Sequence, residues 1–199
     1  MAEITQEADL LTANLFPSTL FCTNLDTNNL QNLLSQVKNI KENEGAQMTG
    51  RTETSILDYD EFIAEKKLFT DKINFIFNKF YDNKFKITTS WFTVTKPNGH
   101  GEWHKHSNSW YSGVYYFQDF TSEISFRNPI ERDIDLVSHK INPLVWNFEP
   151  TKGNLILFPS YLYHLVNTNT SNKNRNSLAF NIMPIGNVGV GDSTYEFSP

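Results

Sequence analysis

The sequence predicts a mainly β protein, with N-terminal helices packed against an antiparallel jelly roll, a double-stranded β-helix. Three observations carry this expectation. From about Phe85 onward, short runs rich in β-branched and aromatic residues recur between turn signals, the pattern of a sandwich or barrel. Before that point apolar residues fall at spacings of three and four, the signature of amphipathic helices. At 199 residues the chain suits a single domain, 1–199, with enough interior to fold alone.

The elements follow in order. Residues 1–15 carry little signal and read as a flexible tail. Leu15-Phe16-Pro17 leads into a strand over Ser18–Thr23. Asp26 or Thr27 can cap a helix whose apolar positions are Leu30, Leu33, Leu34, Val37 and Ile40, with Gly45 at its end. Residues 46–57 are polar and read as a loop or short strand. Asp58 or Asp60 can cap a second helix, closed by Asn83 and Lys84, with a broad apolar stripe from Phe62 and Ile63 to Phe77 and Phe80. Such an aromatic face is a packing surface.

Residues 16–84 are thus a strand with packing helices, 85–186 a jelly-roll core and 187–199 a C-terminal tail. Within the core, strands are predicted over 86–95, 114–117, 124–126, 145–148, 154–158 and 178–182, with a Pro-Asn-Gly-His-Gly turn at 97–101.

Composition excludes several function classes. A net charge of −5 and scattered lysines argue against a general nucleic-acid binder, because phosphate neutralisation needs clustered Lys and Arg. The lone cysteine, Cys22, permits no intramolecular disulfide, which points to a reducing compartment. In its apolar run it reads as a small buried hydrophobe rather than a nucleophile. No stretch approaches the ~20 apolar residues of a membrane span, and the acidic N-terminus lacks a signal-peptide pattern. The expectation is a soluble cytoplasmic protein.

The chemistry concentrates in two segments. The first is Glu102-Trp103-His104-Lys105-His106. Side chains at i and i+2 of a strand share a face, so His104 and His106 can point at one atom. The second runs from Gly153 through Pro159 to His164, with Arg175-Asn176-Ser177 beyond it. His164 can complete a three-imidazole clamp suited to Fe, Zn, Cu or Ni. Arg175 and Ser177, two apart on a strand, can grip a carboxylate through a guanidinium fork and a hydroxyl. Glu102 shares the face of the two histidines and is a rival third ligand. His100, between glycines, reads as a loop residue, and His139, beside Lys140, as a solvated one.

Taken together, these segments resemble the 2-oxoglutarate and Fe(II)-dependent oxygenases, in particular the small bacterial and phage-type group. The resemblance rests on His104-Lys105-His106-Ser107-Asn108-Ser109, Ser112-Gly113-Val114-Tyr115-Tyr116, Gly153 to Ser160, His164, and Arg175 to Asn181, and spans roughly residues 86–186. It implies catalytic metal ligands at His104, His106 and His164, with Arg175 and Ser177 on the distal carboxylate of 2-oxoglutarate. It also implies O2-dependent hydroxylation of a substrate C–H with release of succinate. Asn108, Tyr115, Trp110 and Tyr111 are candidate lining residues, Asn108 and Tyr115 for the co-substrate. The sequence departs from the family at position 106, where most members carry Asp or Glu. The expected cofactors are Fe(II), 2-oxoglutarate and O2. The expected partners are a small-molecule or peptide substrate and a second copy in a homodimer, without nucleic acid or membrane.

Two other readings stay open. Gly99 before His-x-His, and Gly153, Pro159, His164 and Asn167, resemble the two blocks of cupins. Those include three-histidine dioxygenases and binding modules that use no 2-oxo acid. A degenerate oxygenase acting only as a binding module is the third.

Overall fold

Short strands rich in β-branched and aromatic residues build two sheets whose buried residues meet in a shared core. The computed structural model describes residues 4–7, 10–13, 18–25, 37, 40–42, 46–53, 55–119, 122–130 and 144–198. The chain opens with a strand pair, β1 (Ile4–Glu7) and β2 (Leu10–Ala13), where the sequence suggested a featureless tail.

The major sheet has the order β3-β10-β7-β12-β6-β5-β4. Its members are β3 (Phe21–Asn24), β4 (Lys41–Glu42), β5 (Ala46–Arg51), β6 (Lys84–Gly101), β7 (Tyr111–Tyr116), β10 (Asn154–Pro159) and β12 (Arg175–Val188). The minor sheet is β11-β8-β9, from β8 (Ile124–Arg127), β9 (Val145–Phe148) and β11 (His164–Val166). All pairings are antiparallel, and the whole is a double-stranded β-helix.

One face of the major sheet is covered by helix α1 (Ile63–Phe77), which follows two 3-10 turns at Ile56–Asp58 and Asp60–Phe62. Phe69, Ile73 and Phe77 are fully buried, while Ile63, Leu68, Phe75 and Phe80 are exposed, so the buried stripe is narrower than the sequence suggested. Each buried side chain of this kind contributes about 1.5–3 kcal/mol. Asn74 fixes the helix to the sheet edge: its amide donates to the Phe85 carbonyl at 2.9 Å and accepts from the Phe85 N–H at 2.9 Å. Gly113 on β7 permits the closest approach in this layer. A Cβ there would lie 2.2 Å from the ring of Phe180.

Several expectations are corrected. The stretch 97–101 does not reverse the chain. It continues β6 through a bulge in which Lys96–Gly99 oppose the single residue Met48, with Asn98 at φ 63°. His100 is consequently a strand residue paired with Gln47, not a loop residue. Residues 187–199 are not a simple tail, since β12 runs to Val188 and β13 (Tyr195–Phe197) pairs with its end. Cys22 is exposed, because β3 is an edge strand with one flank uncovered. The predicted first helix lies mostly outside the described residues, and Lys41–Glu42 beyond its last apolar position forms β4. His139 also lies outside them. No helix among the described residues is long and apolar enough to cross a membrane.

Candidate metal and co-substrate site

The two chemical segments lie side by side: His104 and His106 fall past the end of β6 rather than within a strand as the His-x-His spacing suggested, while His164 opens β11. His104 forms an isolated antiparallel bridge with His164. The His104 N–H donates to the His164 carbonyl at 3.0 Å and the His164 N–H returns the bond at 2.9 Å. The His106 N–H donates to the Ser160 carbonyl at 3.0 Å. This zipper turns all three rings into one space. Their centroids are 4.3 Å apart for His104 and His164, 5.1 Å for His106 and His164, and 5.3 Å for His104 and His106.

Each ring is held by its Nδ1. His104 Nδ1 lies 2.8 Å from the Glu102 carbonyl and His164 Nδ1 lies 3.0 Å from the Leu162 carbonyl. A carbonyl only accepts, so both Nδ1 atoms carry a proton, and in the neutral ring Nε2 is the atom that presents a lone pair. His106 Nδ1 lies 2.7 Å from Asn181 Oδ1 and 2.7 Å from Ser112 Oγ. The Asn181 orientation is fixed from behind, since its Nδ2 donates to Thr89 Oγ1 at 2.9 Å. The same tautomer follows for His106. Ser112 continues the network, with its Oγ 2.7 Å from Ser160 Oγ.

Burial also keeps two of the rings neutral. It pushes His164 down from 6.5 to about 3, with His104 nearby adding to the shift. It pushes His106 down to about 4, against the stabilising bond from Asn181. Neutral, Nδ1-anchored imidazoles are the form a metal takes.

The donor set fits an ion. The three ligand atoms all lie within 4.8 Å of one another, and His104 is exposed, which leaves one side open. Nitrogens sharing one ion at about 2.1 Å lie no more than about 4.2 Å apart, so only a small inward movement is required. No carboxylate belongs to this group among the described residues. Glu102 is exposed and meets His104 through its backbone carbonyl, not its side chain.

The anchor residues share the same face. On β12, Asn181 reaches His106, and Ala179, Ser177 and Arg175 follow at alternate positions. Ser177 pairs with Thr93 and Tyr116, and Arg175 with Thr95, in neighbouring strands. Arg175 is 2% exposed, and its guanidinium carbon lies 5.4 Å from the Tyr116 ring centroid. Burial raises the Tyr116 phenol to about 12, with Arg175 opposing the shift.

Other candidates lie elsewhere. Tyr115 points to the opposite face of β7, where its ring packs 5.6 Å from Phe69 and 5.0 Å from Phe117. Trp110 and Tyr111 belong to the aromatic layer around Phe77, at 5.6 and 5.0 Å. Asn108 is exposed in a turn at φ 58°, a left-handed position Asn tolerates well. What sequence reasoning missed is Tyr116, along with the roles of Asn181, Ser112 and Thr89. Strand parity could have found Tyr116, since it shares a face with Ser112.

Comparisons with known proteins bear on the family and the fold. A family profile described as "Putative 2OG-Fe(II) oxygenase" matches residues 89–181. The fold is similar to that of HygX from Streptomyces hygroscopicus, solved with nickel, 2-oxoglutarate and hygromycin B. The TM-score is 0.63 at 10% identity, over 84% of this chain and 83% of that one. A Pseudomonas putida prolyl-4-hydroxylase aligns with TM-score 0.58 at 15% identity, over 82% and 92% of the two chains. A prolyl hydroxylase from Trichoplax adhaerens, in complex with a hypoxia inducible factor peptide fragment, aligns with TM-score 0.58 at 11% identity, over 82% of each chain. No curated protein matches the chain in sequence.

Proposed function

We propose that this chain, which belongs to the 2-oxoglutarate and Fe(II)-dependent oxygenases, holds Fe(II) on His104, His106 and His164 and receives 2-oxoglutarate between that centre and Arg175. The observation that carries the proposal is the three Nδ1-anchored imidazoles gathered in one open-sided cluster. Bound Fe(II), with O2 and 2-oxoglutarate, supplies oxidative attack on a substrate C–H coupled to decarboxylation to succinate.

The protein's own residues bind and orient. The Glu102 and Leu162 carbonyls and the Asn181 amide fix the ring tautomers and leave Nε2 free. Arg175, with Ser177 on the same face, takes the distal carboxylate through charge-assisted bonds. Tyr116 packs against the guanidinium and keeps water from its flank. The third ligand is His106, not Glu102, because the Glu102 side chain stands outside the cluster.

Hydroxylation is the proposed outcome, on a small molecule or peptide. The relatives include proteins solved with each kind of compound. The lone cysteine supports a reducing, cytoplasmic setting.

The test is anaerobic titration of 2-oxoglutarate into the Fe(II) protein. Arg175→Ala should weaken binding by roughly ten- to a hundredfold, from a charged bond worth ~1.5–3 kcal/mol. Arg175→Lys should recover only part, and Fe(II) affinity should stay unchanged in both. Equal 2-oxoglutarate affinity in wild type and Arg175→Ala overturns the assignment of the anchor. No binding in either transfers the protein to the cupin-like reading.

A further inference from the structure

The minor sheet carries an aromatic row that starts at the metal cluster and ends at solvent. His164 on β11 pairs with Phe126 on β8, and Phe126 pairs with Trp146 on β9. Directly opposed residues of antiparallel strands project to one face. The three rings therefore stand side by side on the face that carries the imidazoles. Ring centroids step outward by 6.1 Å from His164 to Phe126 and 6.2 Å from Phe126 to Trp146.

Burial changes sharply along the row. His164 is 4% exposed and Phe126 5%, both packed on Phe158, whereas Trp146 is 48% exposed. Leu144, two residues before Trp146 and so on its side of the strand, is 45% exposed. The Leu144 carbonyl accepts from the Asn128 N–H at 2.8 Å, which continues the β8–β9 pairing to that position. Across the cleft, Trp91 of the major sheet stands edge-on to His106 at 5.4 Å. The imidazoles thus lie between an aromatic wall on each sheet, and none of these wall residues is charged.

We infer that Trp146, with Leu144 beside it, is a substrate-contact platform that selects a target presenting an uncharged ring two ring steps out from the metal cluster. The inference rests on the oxygenase reading and adds the chemistry of the substrate to it. Tryptophan supplies a large rigid face at low entropic cost, and ring pairs gain beyond their buried area. An anionic group would be desolvated against this wall without a partner, and a cation would gain only the modest cation–π attraction of a half-exposed indole. Specificity then comes from ring shape, while the imidazoles fix the position of the reacting carbon.

The test uses the full chain labelled with 5-fluorotryptophan, whose four indoles are Trp91, Trp103, Trp110 and Trp146. The protein is loaded with Zn(II) and 2-oxoglutarate, and indole is titrated in. The Trp146 resonance, assigned from Trp146→Phe, should move. Trp146→Ala should weaken indole binding at least tenfold, and Trp146→Tyr should recover most of it. Trp103→Ala removes a residue of similar exposure, 41%, without touching the row, and should change nothing. Replacing Zn(II) by paramagnetic Ni(II) should broaden bound 5-fluoroindole.

Wild-type indole affinity in Trp146→Ala overturns the inference. So does a Trp146 resonance that answers spermidine and not indole. Calorimetry on the same samples separates the two levels. Zn(II) and 2-oxoglutarate binding without an indole response sinks the platform alone. An indole response without Zn(II) or 2-oxoglutarate binding sinks the oxygenase reading. Tighter binding of N-acetyl-Gly-Trp-Gly-amide than of indole would identify a peptide as the source of the ring, and equal affinity a free metabolite.

Discussion

Residues 180 and 181 are neighbours in sequence and opposites in purpose. Phe180 is fully buried, packs 5.5 Å from Phe69 of α1 and lies over Gly113. Asn181 turns the other way and holds His106 at 2.7 Å. The same split runs along the major sheet. Leu178 and Ile182 join Phe180 in the core, while Arg175, Ser177 and Asn181 form the polar face. On β7, Tyr115 packs in the helix-side core, while Ser112 and Tyr116 serve the site. A period of two lets one strand be both scaffold and chemistry. The two faces should therefore fail separately when changed.

The largest effect belongs to the imidazole cluster that the polar face helps to hold. His164→Ala removes one of three imidazoles, and Fe(II) binding should be lost, with metal stoichiometry near zero. His100→Ala should keep full stoichiometry, because His100 pairs with Gln47 outside the cluster. Retained iron in His164→Ala would break the separation at its root.

Next comes the core face. Phe180→Ala leaves a cavity against Phe69 and should cost about 3–5 kcal/mol. That lowers Tm by roughly 10 °C or more for a chain of this size. Fe(II) affinity of the folded protein should remain that of wild type. A large loss of affinity at a temperature where the variant is folded would show that the faces are mechanically coupled.

Asn181→Ala reverses the pattern one residue away. It removes the acceptor that orients His106, and such outer partners typically change metal affinity ten- to a hundredfold. Stability should fall by only about 1 kcal/mol, the net worth of an ordinary hydrogen bond. Metal titration and thermal melting on one sample decide between the two faces.

The fold was legible because its signals are local. The strand runs from Val114 to Phe117, Ile124 to Phe126 and Asn154 to Phe158 all appear near their expected places, since β-branched and aromatic alternation encodes them directly. The three histidines were legible from spacing and context, and they do converge. The bulge at Lys96–Gly99 was not, because Pro-Asn-Gly looks like a reversal unless the partner strand is known. The sequence points to Tyr115 and gives Tyr116 no role, because parity cannot be set until one residue of the strand is placed. Once Ser112 is found on His106, Tyr116 follows by counting. The second helix read too wide, since Ile63, Leu68, Phe75 and Phe80 are apolar yet exposed, and composition alone does not say which stripe meets the sheet.

The smallest expected effect tests the finest division of the polar face. Ser177 is 8% exposed and sits between Arg175 and Asn181 at alternate positions of β12. Its hydroxyl is the proposed neutral partner to the charged anchor. A neutral bond is worth about 0.5–1.5 kcal/mol net, so Ser177→Ala should weaken 2-oxoglutarate binding by roughly three- to tenfold. Ser177→Thr keeps the hydroxyl on a residue that suits a strand and should recover most of that loss. Fe(II) affinity and Tm should barely move, because the side chain reaches neither the imidazoles nor the helix-backed core. Titration of 2-oxoglutarate into anaerobic Fe(II) protein gives the answer. A loss as large as that of Arg175→Ala would make the two residues one coupled unit. No loss at all would remove Ser177 from the carboxylate and leave Arg175, braced by Tyr116, as the sole anchor.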